Sequence, residues 1–391
     1  MPLSEERIAR YHNRRESRLQ RIPRLRSAPA ADDDRIWYLA DELLVLDEQR
    51  HEVENYLASR RPELSSLADE EVVPGLRRYV ATGLDVPAAV RAVHARLAPG
   101  AQVVCPNHVF LSTPFNHGGP FGPPVPVAAS TLPPGSRARR RAAVAIIDTG
   151  VWKDSQLPDS YLKPGAVDIE EETDVDNDGL LDGDVGHANF IAGVIVRHTH
   201  RVQLSVLKVL DTFGVCTEAE LVKALSRLDD EIQVVNLSLG GFSDGDLPPV
   251  ALQAAMEQAL SGRDRVAIAA AGNNGNRTNR FWPAAFAASG HSWSEQVASV
   301  AAHDGAQICH WSNAGDWVTL AAAGQDIEST YINHEQLFPS GWAQWSGTSF
   351  ATPRVAAEVA ARVASGESAI GALRSVVDSA PASFDDYPGL P

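Results

Sequence analysis

From residue 142 onward the chain alternates short apolar runs with amphipathic stretches, and this alternation narrows the fold more than any other feature. The runs Ala142–Ile147, Val202–Val209, Val234–Leu239, Val266–Ala271 and Val297–Ala302 are nearly continuous in apolar residues, as strands buried on both faces are. Between and after them lie helical stretches, Glu218–Asp229, Leu252–Gly262 and Ser349–Ala364. The pattern predicts a three-layer α/β domain over residues 142–391 with a mostly parallel central sheet.

The preceding segment reads differently. Ile36 to Leu46 is strand-like, Glu48–Ser59 helical, and Tyr79–Thr82 a short strand. A helix begins at Val86-Pro87 with Ala89, Val90, Val93 and Leu97 on one face, and Gln102 to Phe110 forms a last strand. Residues 35–112 are thus expected to form a small α+β unit in the order strand, helix, strand, helix, strand. Residues 113–141, with Pro114, Gly118-Gly-Pro and Pro133-Pro-Gly, read as a linker ending in the basic run Arg137–Arg141, a natural nick site.

Composition excludes several function classes. A net charge of -16 argues against nucleic acid as a partner of the folded body. No apolar run approaches the about 20 residues of a membrane span. Cys105, Cys216 and Cys309 are too scattered for a disulfide framework or a paired metal motif, so buried reduced thiols are expected. Residues 1–34 form a basic arm, rich in arginine and expected to be solvated, with no apolar stretch of the kind a signal peptide carries. A cytoplasmic location is the expectation.

Four short segments carry reactive chemistry: Asp148-Thr149-Gly150, Gly186-His187, Ala271-Gly272-Asn273-Asn274 and Gly347-Thr348-Ser349. Each falls at an expected junction between a buried strand and a helix or loop. A carboxylate, an imidazole, an amide and a hydroxyl together suit acyl transfer: an orienting acid, a general base, an oxyanion donor and a nucleophile. Ser349 at a helix start leaves its own N–H free for the oxyanion. His198 and His200 have no acidic or cysteine partner nearby and are not read as a metal site.

The order Asp, His, Ser, together with Trp345-Ser-Gly-Thr-Ser-Phe-Ala-Thr-Pro353, resembles the subtilisin-like serine proteases. The histidine run, Gly-His-Ala-Asn-Phe-Ile-Ala-Gly, departs from that family's Gly-His-Gly-Thr-His-Val-Ala-Gly at Ala188, Asn189 and Phe190. The resemblance implies a subtilisin-like catalytic domain with Asp148, His187, Ser349 and Asn273 as catalytic residues. It implies an inhibitory or chaperoning pro-domain, ferredoxin-like in fold, at residues 35–112. It also implies substrate contacts along Ser238, Leu239, Gly240 and Gly241, where an extended peptide adds as a strand. Ala269, Ala270 and Ala271 would wall the primary specificity pocket. The tryptophans are expected in core and loop packing.

Asp174, Asp176, Asp178 and Asp182, with Gly179 at the turn, resemble the front of a calcium loop that lacks its terminal glutamate. The resulting expectation is a serine endopeptidase acting on peptides or proteins. It needs no cofactor for its chemistry and has no nucleic-acid or membrane partner, while the acidic loop reads either as a structural calcium site or as a solvated loop. Rival expectations are an inactive relative that binds a peptide or partner, and a zymogen whose residues 35–112 block the cleft until the linker is cut.

Overall fold

The computed structural model describes residues 9, 13–14, 17, 19–29, 35–97, 101–112, 123–135, 140–175, 177 and 179–391. The first of two large sheets contains β1 (Leu25–Pro29), β2 (Arg35–Leu46), β3 (Ser66–Val73), β4 (Leu76–Thr82) and β5 (Val104–Leu111), with α1 (Arg50–Ser59) after β2 and α2 (Val86–His94) before β5. Its strands run β5-β2-β4-β3, with β1 on β2, and every pair is antiparallel. Helices α1 and α2 close one face over Leu43, Val45, Tyr79 and Val104.

Two sequence expectations change here. The unit has an additional strand, β3, between α1 and β4. It escapes a hydrophobicity reading because only Val72 of its side chains is buried. Its acidic residues are matched across the ladder, Asp69 to Arg77 at 2.6 Å and Glu70 to Arg78 at 2.7 Å. The basic arm is also not uniformly solvated. β1 extends the sheet, Leu19 is buried with Val109, Leu111 and Phe213, and Arg24 reaches Glu42 at 2.9 Å. Apolar side chains within the arm draw it onto the fold.

The connection contributes β6 (Val125–Pro126), while residues 113–122 and 136–139, including most of the basic run, lie outside the described residues. The body then supplies β7 (Ala142–Asp148), β8 (Leu162–Val167), β9 (Val202–Lys208), β10 (Val215–Thr217), β11 (Val234–Leu237), β12 (Val266–Ala270), β13 (Val297–His303), β14 (Leu320–Ala323), β15 (Ile327–Thr330), β16 (Trp342–Trp345), β17 (Ala382–Phe384) and β18 (Tyr387–Leu390). Its helices are α3 (His187–His198), α4 (Glu218–Ser226), α5 (Val250–Leu260), α6 (Thr348–Ser365) and α7 (Ala369–Asp378).

The second sheet is 9-stranded, in the order β17-β18-β14-β13-β12-β11-β7-β9-β8. Every neighbouring pair is parallel except β17 with β18. Alternate residues of β7 serve different cores. Val144 and Ile146 pack with α3, α6 and α7, whereas Ala145 and Ile147 pack with α4 and α5. This two-sided burial is why the strand sequences carry no polar alternation.

The chain leaves β7 toward β9 on one side and returns as β11 on the other. A crevice therefore opens beyond the carboxyl ends of β7 and β11, the usual ligand position in such sheets. The first sheet lies on α4 and α5, with Leu44 and Leu76 in the same core as Leu221 and Leu252. At one edge β5 pairs antiparallel with β10. Among the described residues, no helix is long and apolar enough to cross a membrane.

Candidate active site

Asp148 is the last residue of β7 and is completely buried. Its Oδ1 accepts from the Thr149 N–H at 2.7 Å and faces His187 Nδ1 at 2.7 Å. Thr149 also receives the Ala188 N–H on its Oγ1 at 3.0 Å, tying the start of α3 to the end of β7. The residue before His187, Gly186, has φ 76, and a Cβ there would lie 2.7 Å from the Tyr331 ring. Only glycine combines that backbone with that approach.

The three departures from the family's histidine run are each accommodated. Ala188 is fully buried. Asn189 grips the backbone of Trp152, accepting its N–H and donating to its carbonyl, both at 2.9 Å. Phe190 packs on Phe350 at 4.5 Å and on Trp345 at 5.8 Å between ring centroids. Those two rings in turn contact the His187 imidazole, Trp345 edge-on at 5.5 Å and Phe350 tilted at 5.3 Å. The imidazole is thus held between a carboxylate and an aromatic wall. Trp345 is the tryptophan that does more than fill core.

Phe350, whose ring touches His187, follows Ser349 in the chain. Ser349 lies in the first turn of α6 and is 1% exposed. Its Oγ lies 3.3 Å from the Ser238 carbonyl oxygen and 3.4 Å from that of Ser112. Asn273 Oδ1 accepts from the Thr348 N–H and from Thr348 Oγ1, both at 2.8 Å. The amide oxygen is thereby turned to the start of α6, with the amide nitrogen beside Gly347. Asn313 supports this turn, accepting from the Asn274 and Asn276 N–H groups at 2.9 Å and donating to the Ala271 carbonyl at 2.9 Å. Sequence reasoning did not single out Asn313, because its partners are some forty positions away and no local motif marks it.

Ser238 opens the expected substrate-contact segment, with its carbonyl oxygen 3.3 Å from Ser349 Oγ. Its hydroxyl accepts from Asn236 Nδ2 at 2.9 Å and donates to the Ser349 carbonyl at 2.9 Å, bracing β11 against α6. Gly240 lies at the cleft edge and forms an antiparallel bridge with Leu111, the two exchanging N–H to carbonyl bonds of 2.9 and 3.1 Å. A Cβ on Gly240 would lie 2.4 Å from the Trp282 carbonyl. Gly241 pairs with Trp282 on the next turn, and Leu239 is buried. Ala269, Ala270 and Ala271 are buried in and just after β12.

On the other side of the cleft, the Ser112 N–H donates to the Gly214 carbonyl at 3.0 Å and its hydroxyl to Asp184 Oδ2 at 2.9 Å. Leu111 and Ser112 therefore lie as a strand between the two rims and end beside Ser349.

The acidic loop is only partly described, since Asp176 and Asp178 lie outside the described residues. Asp174 Oδ2 caps the turn by accepting from the Gly179 N–H at 2.8 Å. Asp182 accepts from Thr212 Oγ1 at 2.6 Å and the Val175 N–H at 2.9 Å, with Arg14 3.6 Å away. A calcium ion would have to share Asp182 with these groups. The cysteines are all free and buried, as expected. Burial pushes the thiols of Cys105 and Cys216 well up, and that of Cys309 up to about 12, which keeps them protonated.

A hydroxyl at a helix start, an amide-bearing turn and a buried imidazole–carboxylate pair, set around the switch point of a parallel sheet, have the layout of a hydroxyl-nucleophile hydrolase on an α/β scaffold. The comparisons with known proteins narrow the class. The chain belongs to the subtilase family of subtilisin-like serine proteases: the profile described as Subtilase family matches residues 139–371, more than half of it.

The chain is 28% identical over 363 residues to the thermophilic serine proteinase of Bacillus sp. (strain AK1), covering 88% of this chain and 82% of that one. It is 30% identical over 250 residues to thermitase of Thermoactinomyces vulgaris, covering 61% and 80%. The minor extracellular protease Epr of Bacillus subtilis is 30% identical over 227 residues, covering 55% of this chain but 30% of its own length. The match thus spans less than a third of Epr. Among solved structures, a lanthipeptide protease superposes with a TM-score of 0.50 at 22% identity, covering 63% and 84%, a likeness of fold.

Proposed function

We propose that the chain is a serine endopeptidase working through an acyl-enzyme. Ser349 Oγ attacks the peptide carbonyl carbon and its proton passes to His187 Nε2. Asp148 holds His187 in the tautomer with Nδ1 protonated and stabilises the imidazolium. The oxyanion is received by the Asn273 amide and the Ser349 N–H. His187 then protonates the leaving amine, and water, deprotonated by the same imidazole, releases the acid and restores Ser349. The 2.7 Å contact between His187 Nδ1 and buried Asp148 supports these roles, as does the accommodation of the altered run around His187.

The observation that carries the reading is the course of Leu111–Ser112. Bridged to Gly240 and Gly214 and ending 3.4 Å from Ser349 Oγ, this segment takes the path of an extended peptide. Residues 35–112 have the strand–helix order β-α-β-β-α-β with sheet order β5-β2-β4-β3, which supports a ferredoxin-like unit and an intramolecular inhibitor or folding chaperone. The specificity pocket bounded by Ala269–Ala271 belongs to the same proposal. Calcium at Asp174–Asp182 would be structural, and no chemical step depends on it.

A fluorophosphonate probe tests the nucleophile. A chain beginning at Ala142 should label at Ser349, and Ser349→Ala should not. A folded chain beginning at Ala142 that stays unlabelled would sink the reading. Mass spectrometry of the full chain beside Ser349→Ala tests self-processing, with cleavage between residues 112 and 141 expected in the wild type alone.

A further inference from the structure

A second histidine–carboxylate pair lies where the first sheet meets the body. His108, on β5, faces Glu218, the first residue of α4, with Nδ1 to Oε2 at 2.6 Å. The side chains are 2% and 0% exposed. Cys105, also on β5, places Sγ 3.6 Å from both Glu218 oxygens. One ligand-type atom from each of Cys105, His108 and Glu218 falls within 4.8 Å of the other two, and this is the only such cluster of three among the described residues.

The surroundings hold the three groups firmly. Glu218 Oε1 accepts the Leu252 N–H at 2.8 Å. Asn107 accepts the Ala219 N–H at 3.2 Å and donates to Glu42 at 2.8 Å, so β5 is pinned to the start of α4 beside the cluster. His108 Nε2 is buried and has no hydrogen-bond partner among the described residues. Cys105 and His108 both line a cavity of about 180 Å³ that His94 also borders. His94 Nε2 is likewise buried without a partner among the described residues, and burial lowers the tendency of that ring to charge.

We propose that Cys105, His108 and Glu218 bind a zinc-class divalent cation that fastens the N-terminal sheet to the body. Thiolate, imidazole and carboxylate together select zinc over calcium or magnesium, which take oxygen ligands. Bond lengths of about 2.0–2.3 Å place the ligands of a tetrahedral zinc roughly 3.3–3.8 Å apart. The sulfur-to-carboxylate spacing already meets this, and the histidine–glutamate contact opens by about 0.7 Å to admit the ion. A water from the cavity that Cys105 and His108 line completes the coordination. On binding, the Cys105 S–H loses its proton to solvent and the thiolate takes up the metal. Burial and the Glu218 charge keep the thiol protonated until a cation compensates them. Two ligands come from one side of the interface and one from the other, so the ion acts as a clip between them. The site stands apart from catalysis.

The test uses the full chain carrying Ser349→Ala, which stays intact whatever its protease activity. After chelation and dialysis it should take up one equivalent of cobalt(II) with a thiolate-to-metal charge-transfer band, and zinc should displace the cobalt. X-ray absorption of the zinc form should show one sulfur in the first shell. Cys105→Ser should remove the band and weaken zinc binding by about 100-fold or more, while Cys216→Ser should leave both unchanged. Absence of a sulfur-ligated metal in the folded parent chain overturns the proposal without reference to any variant. So does a band that survives Cys105→Ser. Fluorophosphonate labelling is untouched by either result, so this proposal and the protease reading fail separately.

Discussion

The protein contains two buried histidine–carboxylate pairs of nearly equal geometry, His187 with Asp148 at 2.7 Å and His108 with Glu218 at 2.6 Å. Their surroundings differ. His187 opens α3 at the sheet's switch point, beside the start of α6 and the Asn273 turn. Trp345 and Phe350 back its ring. His108 lies on β5 of the first sheet, and its partner Glu218 meets a thiol and the start of α5. The imidazole–carboxylate contact is common to both. The Ser349 hydroxyl and the Asn273 turn, the proposed nucleophile and oxyanion donor, accompany the first alone, and a soft ligand atom accompanies the second. The neighbours assign the chemistry, and the pair itself does not.

Variants can break this comparison. The largest effect is expected from His187→Ala, which should lower kcat on a peptide substrate by roughly 10⁶-fold, the loss such a change causes in a subtilisin. His108→Ala should not lower it. Equal losses in the two variants would erase the distinction. Asp148→Asn should cost about 10⁴-fold in kcat through the wrong tautomer of His187. Its counterpart, Glu218→Gln, should register in thermal melting of the full chain, on the scale of about 3–5 kcal/mol for breaking a buried pair.

Asn273→Ala should reduce kcat by about 10²–10³-fold with little change in KM, again the scale known from a subtilisin. A change confined to KM would place Asn273 in substrate binding instead. The smallest effect is expected from calcium removal. Turnover should hold, and the melting temperature should move by no more than about 2–4 °C, the shift of roughly 1 kcal/mol in a domain this large. A larger drop that added calcium reverses and added zinc does not would show a tightly held ion in the acidic loop.

The body of the fold was legible because burial on both faces leaves β7, β11, β12 and β13 with little choice but small and branched apolar residues. The site was legible for a related reason. A carboxylate at a strand end and glycines before a helix-start histidine and serine leave compact local signatures. What stayed hidden depends on partners distant in the chain. β3 reads as polar until Arg77 and Arg78 are seen opposite it. Asn189 and Phe190 look like damage to a motif until Trp152 and Phe350 stand beside them. Cys105 and Glu218 are separated by 113 positions, and no local pattern announces their meeting. The arm was misjudged because arginine dominates its composition, while the placement of Leu19 and β1 follows from a few apolar side chains.

The strand that lies in the cleft is part of the same molecule, and this changes what competition there means. A segment held on the same chain as the groove presents itself at an effective concentration on the order of millimolar, however dilute the protein. A free peptide arriving at Gly214 and Gly240 contends with that figure, so its apparent affinity reports the tether as much as the groove. Severing the connection anywhere beyond Ser112 leaves every hydrogen bond of Leu111–Ser112 intact and removes only the enforced proximity. From then on dilution itself favours release, and occupancy of the groove becomes a function of how much protein is present.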